Sequence, residues 1–242
     1  MDRQTRHQLK HDEFKDSLVR VEEFLKNNFK EVLNVTLIAV VVLGLAGGLK
    51  YYSDQQESNA NADLGEALTT FRATVGQPSP GDNSPEGLSF PTAQEKYKTA
   101  LQQFNAITEK YKMPPRPKAV EIARYQAGVC QSLLGDHNGA IQTLTAASQS
   151  GDAGIASLAK FALAGEMASS GKTSDAIKIY QELADHPSLT VPKASALLAM
   201  ADTYRESNPT EARRIYERVE KEYGSNTSVA QAVKQDVASL NP

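Results

Sequence analysis

Tryptophan is absent from this 242-residue chain, cysteine occurs once, and aromatic residues make up only 7% of it. The single cysteine, Cys130, excludes an internal disulfide framework and any zinc site built on a cysteine cluster. The scarcity of aromatic residues argues against sheets, which favour aromatic and β-branched side chains. No sign of charge dominates, since 26 Lys+Arg against 29 Asp+Glu leave a net charge of −3. That balance excludes a basic, phosphate-seeking protein. No P-loop, GxGxxG or HExxH pattern occurs. What the chain has in abundance is alanine, 31 residues of it, which suits close-packed helices. The composition therefore predicts an all-α protein, and nothing along the chain has a strand pattern. The mean hydropathy of −0.44 looks soluble, but it averages over unlike segments.

From Val32 to Leu49 the sequence is VLNVTLIAVVVLGLAGGL, 18 consecutive uncharged residues between Glu31 and Lys50. As a helix this run is about 27 Å long, and Tyr51 and Tyr52 extend it with an interfacial aromatic belt. A buried core helix seldom lacks a polar face over so many turns. A cleaved signal peptide has a short leader and a nearby small-x-small site, whereas here 31 residues precede the run and Ala60–Ala62 lies well beyond it. The pattern predicts an uncleaved transmembrane anchor over residues 32–52. Lys15, Arg20, Lys26 and Lys30 precede the span, and only Lys50 follows before Arg72. By the positive-inside rule the amino terminus is expected in the cytoplasm and residues 51–242 outside.

The leader, residues 1–31, has Phe14, Leu18, Val21, Leu25, Phe29 and Val32 at helical spacing. This stripe suits a helix lying on the membrane or on a partner, or a solvated extension of the span. Residues 53–91 are expected to hold juxtamembrane helices, the second over Ala62–Val75, and a proline-rich loop, Gln77–Pro91. A second breaker, Lys112–Lys118, follows the next predicted helix, and residues 92–242 form the repeat domain.

Three windows in that domain align without gaps: Ala123–Ala140, Ala159–Ala176 and Ser195–Ala212. Their closing alanines, Ala140, Ala176 and Ala212, are 36 residues apart both times, and each opens a similar helix (AIQTL, AIKIY, ARRIY). Ala100, with ALQQF, is the upstream match. A small residue there lets the second helix of a pair approach the first, and the larger side chain four positions on (Phe104, Leu144, Tyr180, Tyr216) fills the next contact. Gly135 and Gly171 are predicted left-handed helix caps, and Pro209 a first-turn residue. Such pairs must stack to bury their apolar faces. Asn226–Leu240 is expected to close the stack.

These features resemble the tetratricopeptide repeat, whose unit is about 34 residues. Gly128 and Ala140 have that motif's spacing. The period is longer here, tryptophan is missing, and Ala164 and Met200 replace the glycine. With Val21-Glu-Glu-Phe-Leu-Lys-Asn-Asn-Phe-Lys30, a span, Tyr51-Tyr52 and alanine-rich repeats, the whole chain is similar to the single-pass, periplasmic ancillary subunit family of the bacterial Sec translocon. That resemblance implies a bacterial inner-membrane location with the repeat domain in the periplasm, and protein partners among Sec translocon subunits and periplasmic chaperones.

No catalytic, cofactor-binding or metal site is predicted. His7 and His11 have the spacing of a helical metal pair but lack a third ligand, and His137 and His186 fall in turns without a nucleophile partner. Cys130, with Ala127 and Leu134 nearby, is expected to be a buried thiol. Residues 51–242 carry 18 basic and 22 acidic side chains, which argues against nucleic acid. A protein-binding groove remains, lined by Tyr125, Val129, Phe161, Leu197, Ala201, Tyr204 and Arg205 on the first helices of the pairs. Tyr125 and Phe161 have an equal alternative, coverage by an adjacent helix. The groove lacks the Lys/Asn set of a peptide-carboxylate clamp. The expected function is a membrane-tethered scaffold for protein partners. A structural envelope-assembly or cell-division factor, contacting its membrane partner through the span, is the alternative.

Overall fold

The structure, a computed structural model, describes residues 26–76 and 88–224 together with Arg20 and Phe24. Most of the leader, with His7 and His11, and the closing segment Asn226–Leu240 lie outside these residues. The chain divides into two compact units, Met1–Gln55 and Gln56–Pro242. Among the described residues there are eight helices and one pair of two-residue strands. The helices are α1 (Phe29–Arg72), α2 (Ala93–Lys110), α3 (Lys118–Leu133), α4 (His137–Ala147), α5 (Ala153–Ser169), α6 (Thr173–Asp185), α7 (Lys193–Tyr204) and α8 (Pro209–Tyr223). The all-α expectation holds.

Two expectations near α1 are corrected. The predicted span, juxtamembrane segment and following helix are one uninterrupted 44-residue helix. No proline lies between Phe29 and Arg72, and the polar Ser53–Asp63 stretch is rich in residues that tolerate a helix. Strands do occur, as β1 (Thr74–Val75) pairs in parallel with β2 (Ser89–Phe90). That pairing brings together two points 15 residues apart, which no local periodicity encodes. Within α1, one stretch is long and apolar enough to cross a membrane, and none of it is buried.

In Gln56–Pro242, each helix from α2 to α8 packs on the next in chain order. The closing alanines Ala100, Ala140, Ala176 and Ala212 are all at 0% exposure, and Phe104, Leu144, Tyr180 and Tyr216 are buried beside them. Ala60, Leu64 and Ala67 of α1 join Ala100, Phe104 and Ile107 of α2 in one apolar cluster, so the carboxyl-terminal part of α1 is the first helix of the first pair. At Gly128 on α3, an added Cβ would lie 2.7 Å from the Leu144 side chain. That close approach explains glycine at this position of its pair.

Helix ends follow local chemistry. Thr92, Asp136, Asp152 and Asn208 accept backbone N–H bonds at the starts of α2, α4, α5 and α8, with Pro209 in the first turn of α8. Gly135 and Gly171 both have φ +79°. The next amide after each reaches back across the cap, Asp136 N to Gln131 O at 2.9 Å and Lys172 N to Met167 O at 2.8 Å. Polar bonds fasten neighbouring pairs near the starts of their first helices. Glu57 accepts from Lys118 N at 3.3 Å, Lys118 Nζ meets Asp152 at 2.7 Å, and Thr190 donates to Gly154 O at 2.9 Å.

Asp63 ties α1 to α2, accepting from Lys110 Nζ at 2.7 Å and from the Tyr111 hydroxyl at 2.8 Å. The Lys110 hydrogen bond holds the Asp63 carboxyl below its ordinary range despite partial desolvation. A depressed folded-state pKa gives stability that is complete above the unfolded value, about 3.9, and lost as pH falls through the folded value. Asp63→Asn should therefore lower the urea midpoint at pH 7 and narrow the drop in midpoint between pH 7 and pH 3. Gly128→Ala should cost about 1–3 kcal/mol by overpacking against Leu144, and the Gly128→Ala/Leu144→Ala double variant should cost less than the two single losses added together. Urea unfolding checks both.

Candidate protein-binding surface

The first helices of successive pairs touch one another as well as their own partners, α3 with α5 and α5 with α7. They line the crowded side of the stack, where a groove is expected. On that side Tyr125 and Val129 of α3 and Phe161 of α5 are half-buried. Tyr125 packs against the cluster of Ala140, Leu144 and Leu163, and burial pushes its hydroxyl pKa up. Phe161 meets Tyr180 edge-on, with ring centroids 5.4 Å apart.

The remaining predicted groove residues do not join this face. Leu197 and Ala201 of α7 have no exposed surface and belong to the cluster around Ile215, Tyr216 and Val219 of α8. The periodicity placed Leu197 in register with Tyr125 and Phe161, but α8 packs over this position and draws it inside. Tyr204 and Arg205 are half-buried and diverge. Tyr204 lines a depression between α6 and α8 with Ile177 and Arg214, whereas Arg205 lines a cleft of roughly 600 Å³ among α5, α6 and α7.

Sequence reasoning missed a polar column. Cys130, Glu166 and Asp202 occupy the same position of successive pairs, 36 residues apart. Cys130 is fully buried, and burial pushes its thiol pKa up to about 12, as suits an inert core residue. Glu166, 9% exposed, reaches back to the preceding pair, where Ser132 donates to Oε1 and His137 Nδ1 lies 2.8 Å from Oε2. Serine and histidine both address the carboxylate rather than each other. This arrangement joins two pairs and does not present an activated serine. Asp202 turns the other way, accepting from the Tyr216 hydroxyl and Arg205 within its own pair. The 36-residue recurrence was available as a signal, but three unlike side chains gave it no chemical identity. His186 ends α6, its N–H donating to Glu182 O at 2.9 Å, in the turn expected for it.

With this geometry in view, one comparison bears on the kind of repeat. Residues 195–226 match the tetratricopeptide repeat family model. The match opens at Ser195, the first residue of the third sequence window, and takes in α7 from its third residue and all of α8. No curated protein matches the chain. The α7–α8 pair is thus tetratricopeptide-like, the 36-residue alignment extends that likeness to the pairs before it, and the general use of such repeats is protein–protein interaction.

Because Glu166 bridges two pairs from a buried position, Glu166→Gln should destabilise the repeat domain by about 1–2 kcal/mol. The urea midpoint measures this, and adding Ser132→Ala to the Glu166→Gln variant should cause little further loss.

Proposed function

We propose that this protein is a membrane-anchored scaffold that holds protein partners on its tetratricopeptide-like repeats. The observation that carries the reading is the helix α1. Its apolar stretch is wholly exposed, and the same helix supplies Ala60, Leu64 and Ala67 to the core of the first pair. An exposed apolar run of this length is costly in water and suited to a bilayer. The repeat unit offers an aromatic and aliphatic face at Tyr125, Val129 and Phe161, of a kind that holds peptides by apolar contact.

The charge asymmetry across the run supports a cytoplasmic amino terminus and a repeat domain on the outer side of a bacterial inner membrane, in the periplasm. The similarity of Val21–Lys30, the span, the tyrosine pair and the repeats to the translocon ancillary family supports partners among Sec translocon subunits and periplasmic chaperones. Anchoring raises the effective concentration of the repeats near such partners, so weak binding suffices. The chain acts by binding and not by catalysis.

Protease added to spheroplasts should remove residues 51–242 and leave the leader and span; protection of the repeat domain would overturn the topology. Crosslinking in native membranes should yield adducts with translocon or chaperone proteins. Adducts confined to other envelope-assembly or division proteins would favour a structural envelope role instead.

A further inference from the structure

A depression of roughly 410 Å³ lies between α6 and α8, the second helices of two successive pairs. Its floor is apolar, with Ile177 and Tyr204 half-buried and Met200 and Ile215 buried beside them. Its walls carry Lys178 and Gln181 from α6, Arg214 and Arg218 from α8, and a single carboxylate, Glu211. The counterpart between α2 and α4 is built differently. There α3 supplies Ala127 and Arg124, and Asn105, Thr108, Gln142 and Thr143 make the walls largely neutral, with Lys112 beside Glu109.

The cations around the α6–α8 depression are paired along their own helices, but only in part. Lys178 donates to Asp175 Oδ1 at 3.1 Å, and Arg218 Nε to Glu222 Oε1 at 2.9 Å. An ammonium has three N–H donors and a guanidinium five, so most of their donors remain for other acceptors. Arg214 takes both oxygens of Glu211 through Nε and Nη2, which leaves its Nη1. Asp175 and Glu222 do not line the depression, and Glu222 also accepts from Lys193 Nζ at 3.1 Å. Asp185, which accepts from Gln181, lies outside the lining as well. Exposed pairs within one helix contribute little, so an incoming carboxylate can share these cations at small cost. Three cations and one engaged carboxylate around an apolar floor select an apolar side chain flanked by acidic ones. A phosphate polymer would leave that floor uncovered.

Building on the scaffold reading, we propose that the depression between α6 and α8 docks an acidic, amphipathic segment of a protein partner. An apolar side chain of the segment lies on Ile177 and Tyr204, and its carboxylates meet Lys178 on one wall and Arg218 on the other. This surface is separate from the apolar face of Tyr125, Val129 and Phe161, and adds charge selectivity to it.

The test uses the full chain in detergent micelles with isoleucine labelled at the ¹³Cδ1 methyl. The Ile177 signal is the one that disappears in Ile177→Val, and the Ile38 signal, from the apolar run of α1, is assigned in the same way. The probes are blocked pentapeptides: leucine flanked by two glutamates on each side, its glutamine and lysine counterparts, and the glutamate peptide with alanine at the centre. A ten-residue oligothymidylate is the phosphate probe. The glutamate–leucine peptide should move the Ile177 signal saturably, and the other peptides should move it less. Lys178→Gln should weaken that response about two- to fivefold, and Gln181→Lys should strengthen it by a similar factor. An unmoved Ile177 signal overturns the inference, as does an equal response to the glutamine or lysine peptide. A larger response to oligothymidylate would overturn it in favour of a phosphate site, and equal movement of Ile38 would overturn it as partition into the micelle. Crosslinking in native membranes separates the two readings. Partner adducts with a silent Ile177 signal would overturn the docking groove alone, whereas absence of any adduct overturns the scaffold.

Discussion

The architecture depends on close approach at one alanine per pair. A methyl side chain at positions 100, 140, 176 and 212 lets the second helix of each pair settle against the first, and all four alanines are completely enclosed. A larger residue there would push the helices apart over their whole length, because packed helices are stiff and interiors are dense. The space that opens one turn further along is filled by Phe104, Leu144, Tyr180 and Tyr216. Gly128 carries the same constraint to the facing helix, where even a methyl group would collide with Leu144. With the pairs so constrained, their apolar faces can be covered only by neighbouring pairs, and stacking follows.

That constraint is also why the fold was legible in the sequence. Small-then-large at a four-residue step is a local pattern, and its recurrence every 36 residues marks pairs before any contact is known. Gly135 and Gly171 were equally legible, since a left-handed cap at a helix end selects glycine by local sterics. The candidate site was much less so. Whether Leu197 meets solvent depends on where α8 lies over α7, and Tyr125, identical in register, meets a different neighbour. Tyr204 and Arg205 are adjacent in sequence, yet a helix turns successive side chains by about 100°, enough to send them into different depressions. The continuity of α1 and the pairing of Thr74–Val75 with Ser89–Phe90 also escaped a local reading. In the first case no breaker existed to end the helix, and in the second the partner strand lies beyond the proline-rich segment.

The two ends of α1 differ in the surroundings they suit. Between Val32 and Leu49 its apolar side chains point outward on every face, which suits hydrocarbon. From Ala60 onward only a narrow stripe is buried, and the rest of its circumference is polar, which suits a helix packed on one side and wet on the other. The change comes within about two turns after Tyr52.

The column of Cys130, Glu166 and Asp202 shows how a near-regular repeat acquires a singular site. At the first position an apolar thiol completes the core and demands no partner. At the second, a buried carboxylate must be paired, and Ser132 and His137 of the preceding pair are the groups that pair it. Glu166 is thereby drawn away from Tyr180, the residue that its counterpart Asp202 serves one pair later as the acceptor for Tyr216. With Glu166 engaged between pairs, Tyr180 has no carboxylate of its own among the described residues and lines the cleft among α5, α6 and α7. In a stack whose packing is otherwise uniform, such breaks of register are where binding specificity can be written without disturbing the alanine contacts that hold the helices together.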